Sequence, residues 1–167
     1  MFKKFLLAVL VAAPMCLQAQ TLKLGAVNPT EIFNVMPDVT TANNTLKGVQ
    51  EKYEAQAKPL QEELQKKQTE LENLVKNKAA ESVIEPKQKE FEDLYTRYQN
   101  FMQQAQKDMQ QQQETLLAPI QQKLVNAIQA VGAEGGYAGI IDANTLLYRG
   151  DNIEDITAKV KAKLGIK

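Results

Sequence analysis

The sequence predicts an α+β subunit, a small β body from which a long antiparallel helical hairpin projects. Three observations lead there. Residues 38 to 131 hold a single glycine, Gly48, and carry apolar residues at steps of eleven. That spacing fills three helical turns at about 3.67 residues per turn and stays on one side of a helix. The pattern breaks near Pro86, after a run of polar and small residues. Finally, strand-like segments lie at both ends of the chain, so a hairpin between them returns the chain to a shared body.

The first segment, 1–19, reads as a signal peptide. Lys3 and Lys4 precede an apolar run, Phe5 to Leu17, and Ala19 supplies a small residue for cleavage. The run is shorter than the roughly 20 residues that cross a bilayer. Met15 is bulky where a lipid-modified cysteine at Cys16 would follow a small residue. The expected mature chain therefore starts at Gln20 and is exported.

Residues 20–37 form the N-terminal part of the body. Leu22 to Val27 reads as a strand, Asn28-Pro29 as a helix start, and Glu31 to Met36 as one or two helical turns that Pro37 interrupts. The arm, 38–131, opens with Asp38 as cap. Its first helix carries the series Val49, Leu60, Leu71 and Tyr53, Leu64, Val75. Its second carries Leu94, Ala105, Leu116, Ala127 and Tyr98, Met109, Ile120, Val131. The tip falls between Asn77 and Pro86. Two starts for the second helix stay open, Pro86 in its first turn or a capping box from Ser82 to Glu85. Helices of about 40 and 45 residues would extend on the order of 60 to 70 Å. Pro59 and Pro119 lie inside them and should each remove a backbone hydrogen bond. Pro119, near the root, is a hinge candidate, with a fixed kink as the alternative.

The C-terminal part of the body, 132–167, begins with a glycine-marked stop at Gly132, Gly135 and Gly136. Tyr137 to Ile141 reads as a strand, Asp142-Ala143-Asn144 as a turn, and Thr145 to Arg149 as its hairpin partner. Asp151 or Asn152 then caps a short helix with Ile153, Ile156, Val160 and Leu164 on one face. Three short strands and one helix bury little and leave open sheet edges, so self-association is expected.

Composition narrows the function. Without Lys3 and Lys4, 18 basic and 20 acidic residues remain, which gives no basic surplus for nucleic acid. The mature chain has no Cys, no His and one Ser, Ser82, and no glycine loop for phosphate. No catalytic set, metal site or cofactor is predicted. Pairs four apart, Glu54–Lys58, Glu62–Lys66, Glu63–Lys67 and Glu85–Lys89, are expected to support the helices. The seven glutamines between Gln103 and Gln113 read as a polar helix face, because Ala105 and Met109 keep the repeat through them.

The apolar stripe of the second helix is wider than a two-position seam. Phe101 lies to one side of it, while Phe91, Met102 and Leu124 lie to the other, and Tyr95, Leu117 and Ile128 extend farther. Phe91, Tyr95, Phe101 and Met102 are therefore candidates for loose apolar contact in a shared cavity, packing against the first helix being the plainer alternative. Lys76, Lys78, Lys87 and Lys89 make a weakly basic tip, suited to solvation or to an anionic membrane surface.

The order of parts resembles the OmpH/Skp family of periplasmic chaperones. The likeness rests on the opening LGAVNPTEIFNVMPD, the interrupted hairpin, and the ending GYAGIIDANTLLYRGDNIEDITAKVKAKL. It implies a periplasmic homotrimer whose strands form a central body and whose arms surround a cavity. Such proteins hold unfolded outer-membrane β-barrel proteins without ATP. Carried over by position, Val27, Ile140, Ile141, Leu146 and Leu147 become body and trimer residues, and Phe91, Tyr95, Phe101 and Met102 become candidate cavity-facing residues. The slight acidity departs from the strongly basic best-known member. The rival reading is an exported structural or adhesive coiled-coil protein with no client.

Overall fold

The computed structural model describes residues 22–166; the expected signal peptide, 1–19, lies outside them. The chain begins with strand β1 (Leu24–Val27) and helix α1 (Pro29–Val35), and continues into the long helices α2 (Pro37–Lys76) and α3 (Glu81–Gly135). It ends with β2 (Gly139–Asp142), a 3-10 turn (Ala143–Thr145), β3 (Ile153–Asp155) and α4 (Thr157–Lys163). The predicted α+β class and the long helical hairpin are both present.

Local chemistry sets the boundaries. The Asn28 side chain accepts from the Glu31 N–H, and Pro29 occupies the first turn of α1, where its missing donor is not needed. Pro37 opens α2 in the same way rather than only ending α1, so the cap is Met36 and not Asp38. Asp38 sits in the first turn and binds Lys123 across the hairpin at 2.7 Å.

At the tip, the Lys78 N–H donates to Val75 O and the Ala79 N–H to Leu74 O. Lys78 adopts φ 53°, the left-handed conformation glycine usually supplies at a helix end. Neither sequence-based start of the second helix holds. Its first turn closes on Ala80, which accepts from Val83 and Ile84, and Pro86 lies inside the helix. The extra turn places Ile84 on the seam, half-buried, and α3 reaches 55 residues, about 80 Å. Its far end continues past Gly132 to Gly135, with Gly136 as the left-handed cap at φ 64°.

The sheet is where the structure departs furthest from the sequence-based expectation. Its order is β2-β1-β3, and β1 pairs in parallel with both neighbours. There is no C-terminal hairpin among the described residues. The Asp142 side chain accepts from the Asn144 N–H at 2.9 Å, and the Thr145 hydroxyl donates to Asp142 O at 2.8 Å. Those bonds coil the chain where it would have to turn back, and Asn144 is drawn to the Asn28 side chain at 3.0 Å. The third strand forms instead from Ile153 to Asp155, residues expected to begin the last helix. The ladder runs on as Ile156 N–H donates to Ala26 O at 2.8 Å. Helix α4 therefore starts only at Thr157.

The core sits where the arm meets the sheet. Ile32, Met36, Ile156 and Val160 are fully buried, joined by Val27, Val39, Ala42, Ile120, Leu124, Ala127 and Val131. Burial of each large apolar side chain contributes about 1.5–3 kcal/mol. One hydrophobic centre thus roots both long helices on the sheet.

Candidate functional site

Along the arm, the residues turned toward the partner helix reveal two regimes. Near the root of α2 they are Leu46, Val49, Tyr53 and Ala57, with α3 answering through Ala105, Leu116, Ile120, Leu124, Ala127 and Val131. Those steps add to elevens. Toward the tip the steps become three and four in alternation: Ala57, Leu60, Leu64, Lys67, Leu71 and Leu74 on α2, and Ile84, Lys87, Phe91, Leu94, Tyr98, Phe101 and Ala105 on α3. A seven-residue repeat has taken over, which favours left-handed coiling. The predicted eleven-residue series consequently fails at its outer end, where Val75 is 60% exposed and Leu74 takes the inward position.

Ion pairs across the seam stand beside intrahelical ones other than those expected. Lys67 reaches Glu90 at 2.7 Å and Lys87 reaches Glu70 at 3.3 Å, both across the hairpin. Lys67 holds the Glu90 carboxyl below its ordinary range, with Lys87 adding to the effect. The Glu70 carboxylate raises Lys87 above the usual lysine range, helped by Glu90. Lys58 pairs at 4.0 Å with Glu62, not with Glu54, and Lys47 with Glu51 at 3.8 Å. None of the four predicted Glu-before-Lys pairs forms. Of the basic-tip residues, Lys87 is therefore committed to carboxylates inside the hairpin, while Lys76, Lys78 and Lys89 are exposed.

Of the four candidate contact residues, Phe91 and Phe101 lie on the seam and Tyr95 and Met102 beside it. Phe101 turns edge-on to Tyr53, with ring centroids 6.0 Å apart, and so packs within the hairpin. Tyr53 also donates its hydroxyl to Asp108 at 2.8 Å, and that bond raises its pKa above the ordinary tyrosine value. Phe91 and Tyr95 stack at 6.2 Å with an interplanar angle of 13°. Tyr95 and Met102 remain 47% and 43% exposed. Below them a groove of about 450 Å³ is bordered by Tyr53, Ala57, Met102, Ala105 and Met109. Met109, which the repeat assigns to the seam, is half-buried and also borders this groove.

The body has its own uncovered surface. Val27 is buried, whereas Ile140, Ile141 and Leu146 are half-buried. Leu147 and the neighbouring Tyr148, which no sequence pattern singles out, stand at 106% and 83% exposure. Tyr137 joins the sheet to α4. Its hydroxyl donates to Glu154 at 2.6 Å, Lys23 lies 4.1 Å from its ring centre, and Lys159 bonds both its oxygen and Glu154. Lys159 lowers the Glu154 pKa, with Tyr137 contributing next. Thr157 keeps Asp155 below its usual range, through its side chain and then its backbone N–H. Pro119 lies in unbroken α3 beside buried Ile120.

No cluster of metal-binding side chains occurs among the described residues, and no described helix is long and apolar enough to cross a membrane. A rooted β body, a solvent-projecting hairpin and an apolar flank define a helical-arm protein of the α+β class. The chain belongs to the OmpH-like family: the family model described as Outer membrane protein (OmpH-like) matches residues 23–164. It is similar to the chaperone protein Skp of Salmonella typhimurium, 28% identical over 162 residues, covering 95% of this chain and 96% of that one. The chaperone protein Skp of Yersinia enterocolitica is 29% identical over 164 residues, with the same coverage of 95% and 96%. The solved structure of an OmpH-like protein from Caulobacter crescentus CB15 shares the fold, with a TM-score of 0.70 at 18% identity over 85% of this chain and 83% of that one.

Proposed function

We propose that this protein is an exported, ATP-independent holdase of the periplasm that encloses unfolded outer-membrane β-barrel proteins between helical arms. The observation that carries the reading is the apolar flank of α3, where Tyr95 and Met102 project on the side of the groove bordered by Tyr53, Ala57 and Met109. Family membership supports it, since relatives matched over nearly their full length are named chaperones. A barrel strand exposes alternate apolar residues that aggregate in water. Many shallow apolar contacts bind such chains by mass action and release them without an energy source.

Three subunits would supply the enclosure, joined through the sheet and the segment carrying Ile140, Ile141, Leu146 and Leu147. Pro119 would let the arms spread around clients of different size. A membrane contact of the tip would rest on Lys76, Lys78 and Lys89, since Lys87 is engaged within the hairpin. The decisive measurement is light scattering of a denatured barrel protein diluted into buffer. Suppression at one trimer per client is the expected outcome. Aggregation unchanged at every ratio would favour the structural coiled-coil reading.

A further inference from the structure

The two flanks of the hairpin differ in chemistry. On one, the groove at Met102 and Met109 is followed along α3 by a second of about 330 Å³ beside Leu117. Gln106, Gln110, Gln113, Leu117 and Gln121 succeed one another at steps of three and four, so they share one helix face. Two carboxylates, Glu54 and Glu114, border these grooves, and among the described residues no Lys or Arg does. The opposite flank carries charges of both signs, with Lys52 and Asp108 lining one depression and Lys66 and Glu70 another.

We propose that the cation-free, amide-lined flank from Met102 to Gln121 is a cradle for one extended strand of the client, and that the flank carrying Lys52 and Lys66 stays in solvent. This deepens the holdase reading and rests on it. Length is the first argument. Nineteen helical steps span about 28 Å, close to the roughly 30 Å that a membrane strand of 9–11 residues covers. Polarity is the second. Alternate apolar side chains of a barrel strand fit the grooves at Met102, Met109 and Leu117. The backbone and lumen-facing polar groups meet glutamine amides, each of which both donates and accepts. Charge is the third: a rim with two carboxylates and no cation takes neutral or basic strands and disfavours acidic ones.

The test uses the full-length exported protein with a photo-crosslinker attached at Gln106→Cys or, on the other flank, at Gln111→Cys. With a denatured barrel protein as client, crosslinking from position 106 should exceed that from 111 at least fivefold. Met102→Glu, an exposed position, should weaken client affinity about tenfold at unchanged helix content. For a client segment without net charge, affinity should change less than about twofold between roughly 0.05 and 0.5 M salt, because apolar and amide contacts are not screened. Equal crosslinking from both flanks, or crosslinking from 106 mainly to another copy of this chain, overturns the cradle while aggregation suppression leaves the holdase standing. Absence of both suppression and crosslinking removes the two together.

Discussion

Two glycines show how one residue type serves opposite ends at single positions. A Cβ at Gly135 would run into the Tyr137 ring, which is clamped by Lys23, Glu154 and Lys159 and has nowhere to go. Gly48 lies in an exposed part of α2, and a methyl group there would meet nothing within 4 Å. Gly135→Ala should therefore destabilise by about 1–3 kcal/mol through overpacking, whereas Gly48→Ala should stabilise by about 1 kcal/mol through helix propensity. Urea unfolding followed by circular dichroism separates the two signs. At this scale the sequence is partly readable. Asn28-Pro29 announces the start of α1 because both groups act locally, one by accepting an N–H and the other by not needing one. The role of Asp142 is harder to see, since its turn chemistry competes with a hairpin and the contact of Asn144 with Asn28 spans 116 positions. Two of the four aromatic and thioether candidates, Tyr95 and Met102, stay nearly half exposed, and Phe101 turns inward, where Tyr53 offers it an edge-on partner.

At the scale of elements, the arm is legible because a helix reports its own buried face through spacing, whatever it packs against. What spacing alone does not reveal is where one repeat yields to another. The root half follows elevens and the tip half sevens, so the same stripe changes owners between Val75 and Leu74. The consequence can be measured. Leu74→Ala should lower stability by about 1–2 kcal/mol, less than a fully buried leucine because the site is only half-covered. Val75→Ala, one position along but 60% exposed, should stay within about 0.5 kcal/mol. Hydrogen exchange at the tip provides the readout, with faster exchange between 70 and 90 in the first variant and no change in the second. Parallel strands have the opposite fate from helices. Three and four residues carry too little pattern to fix a partner, and β3 reads as the start of a helix because its sequence, Ile-Glu-Asp, suits either.

For the whole molecule, the single subunit leaves a consistent set of surfaces unfinished. Among the described residues its parallel sheet ends in open edges at β2 and β3, and a row of unpaired backbone groups invites another chain. Beside that sheet, Leu147 and Tyr148 project almost wholly into water, at a cost that covering each would reverse by about 1.5–3 kcal/mol. Both features lie at the body, away from the tip, so copies meeting there would hold their arms side by side. This placement argues for the proposed trimer and also locates its weak point. Leu147→Asp puts a charge where an apolar surface must be buried, and should shift native mass spectra from trimer to monomer at low micromolar protein. The fold should survive, because Leu147 touches none of the core that roots the arm. Circular dichroism would then show full helix content in a species unable to enclose a client. Loss of assembly with retained helix should abolish aggregation suppression, since one arm presents a flank but no chamber. If the monomeric variant instead protects clients as well as the unaltered protein, the flank acts alone and enclosure is not how the protein works.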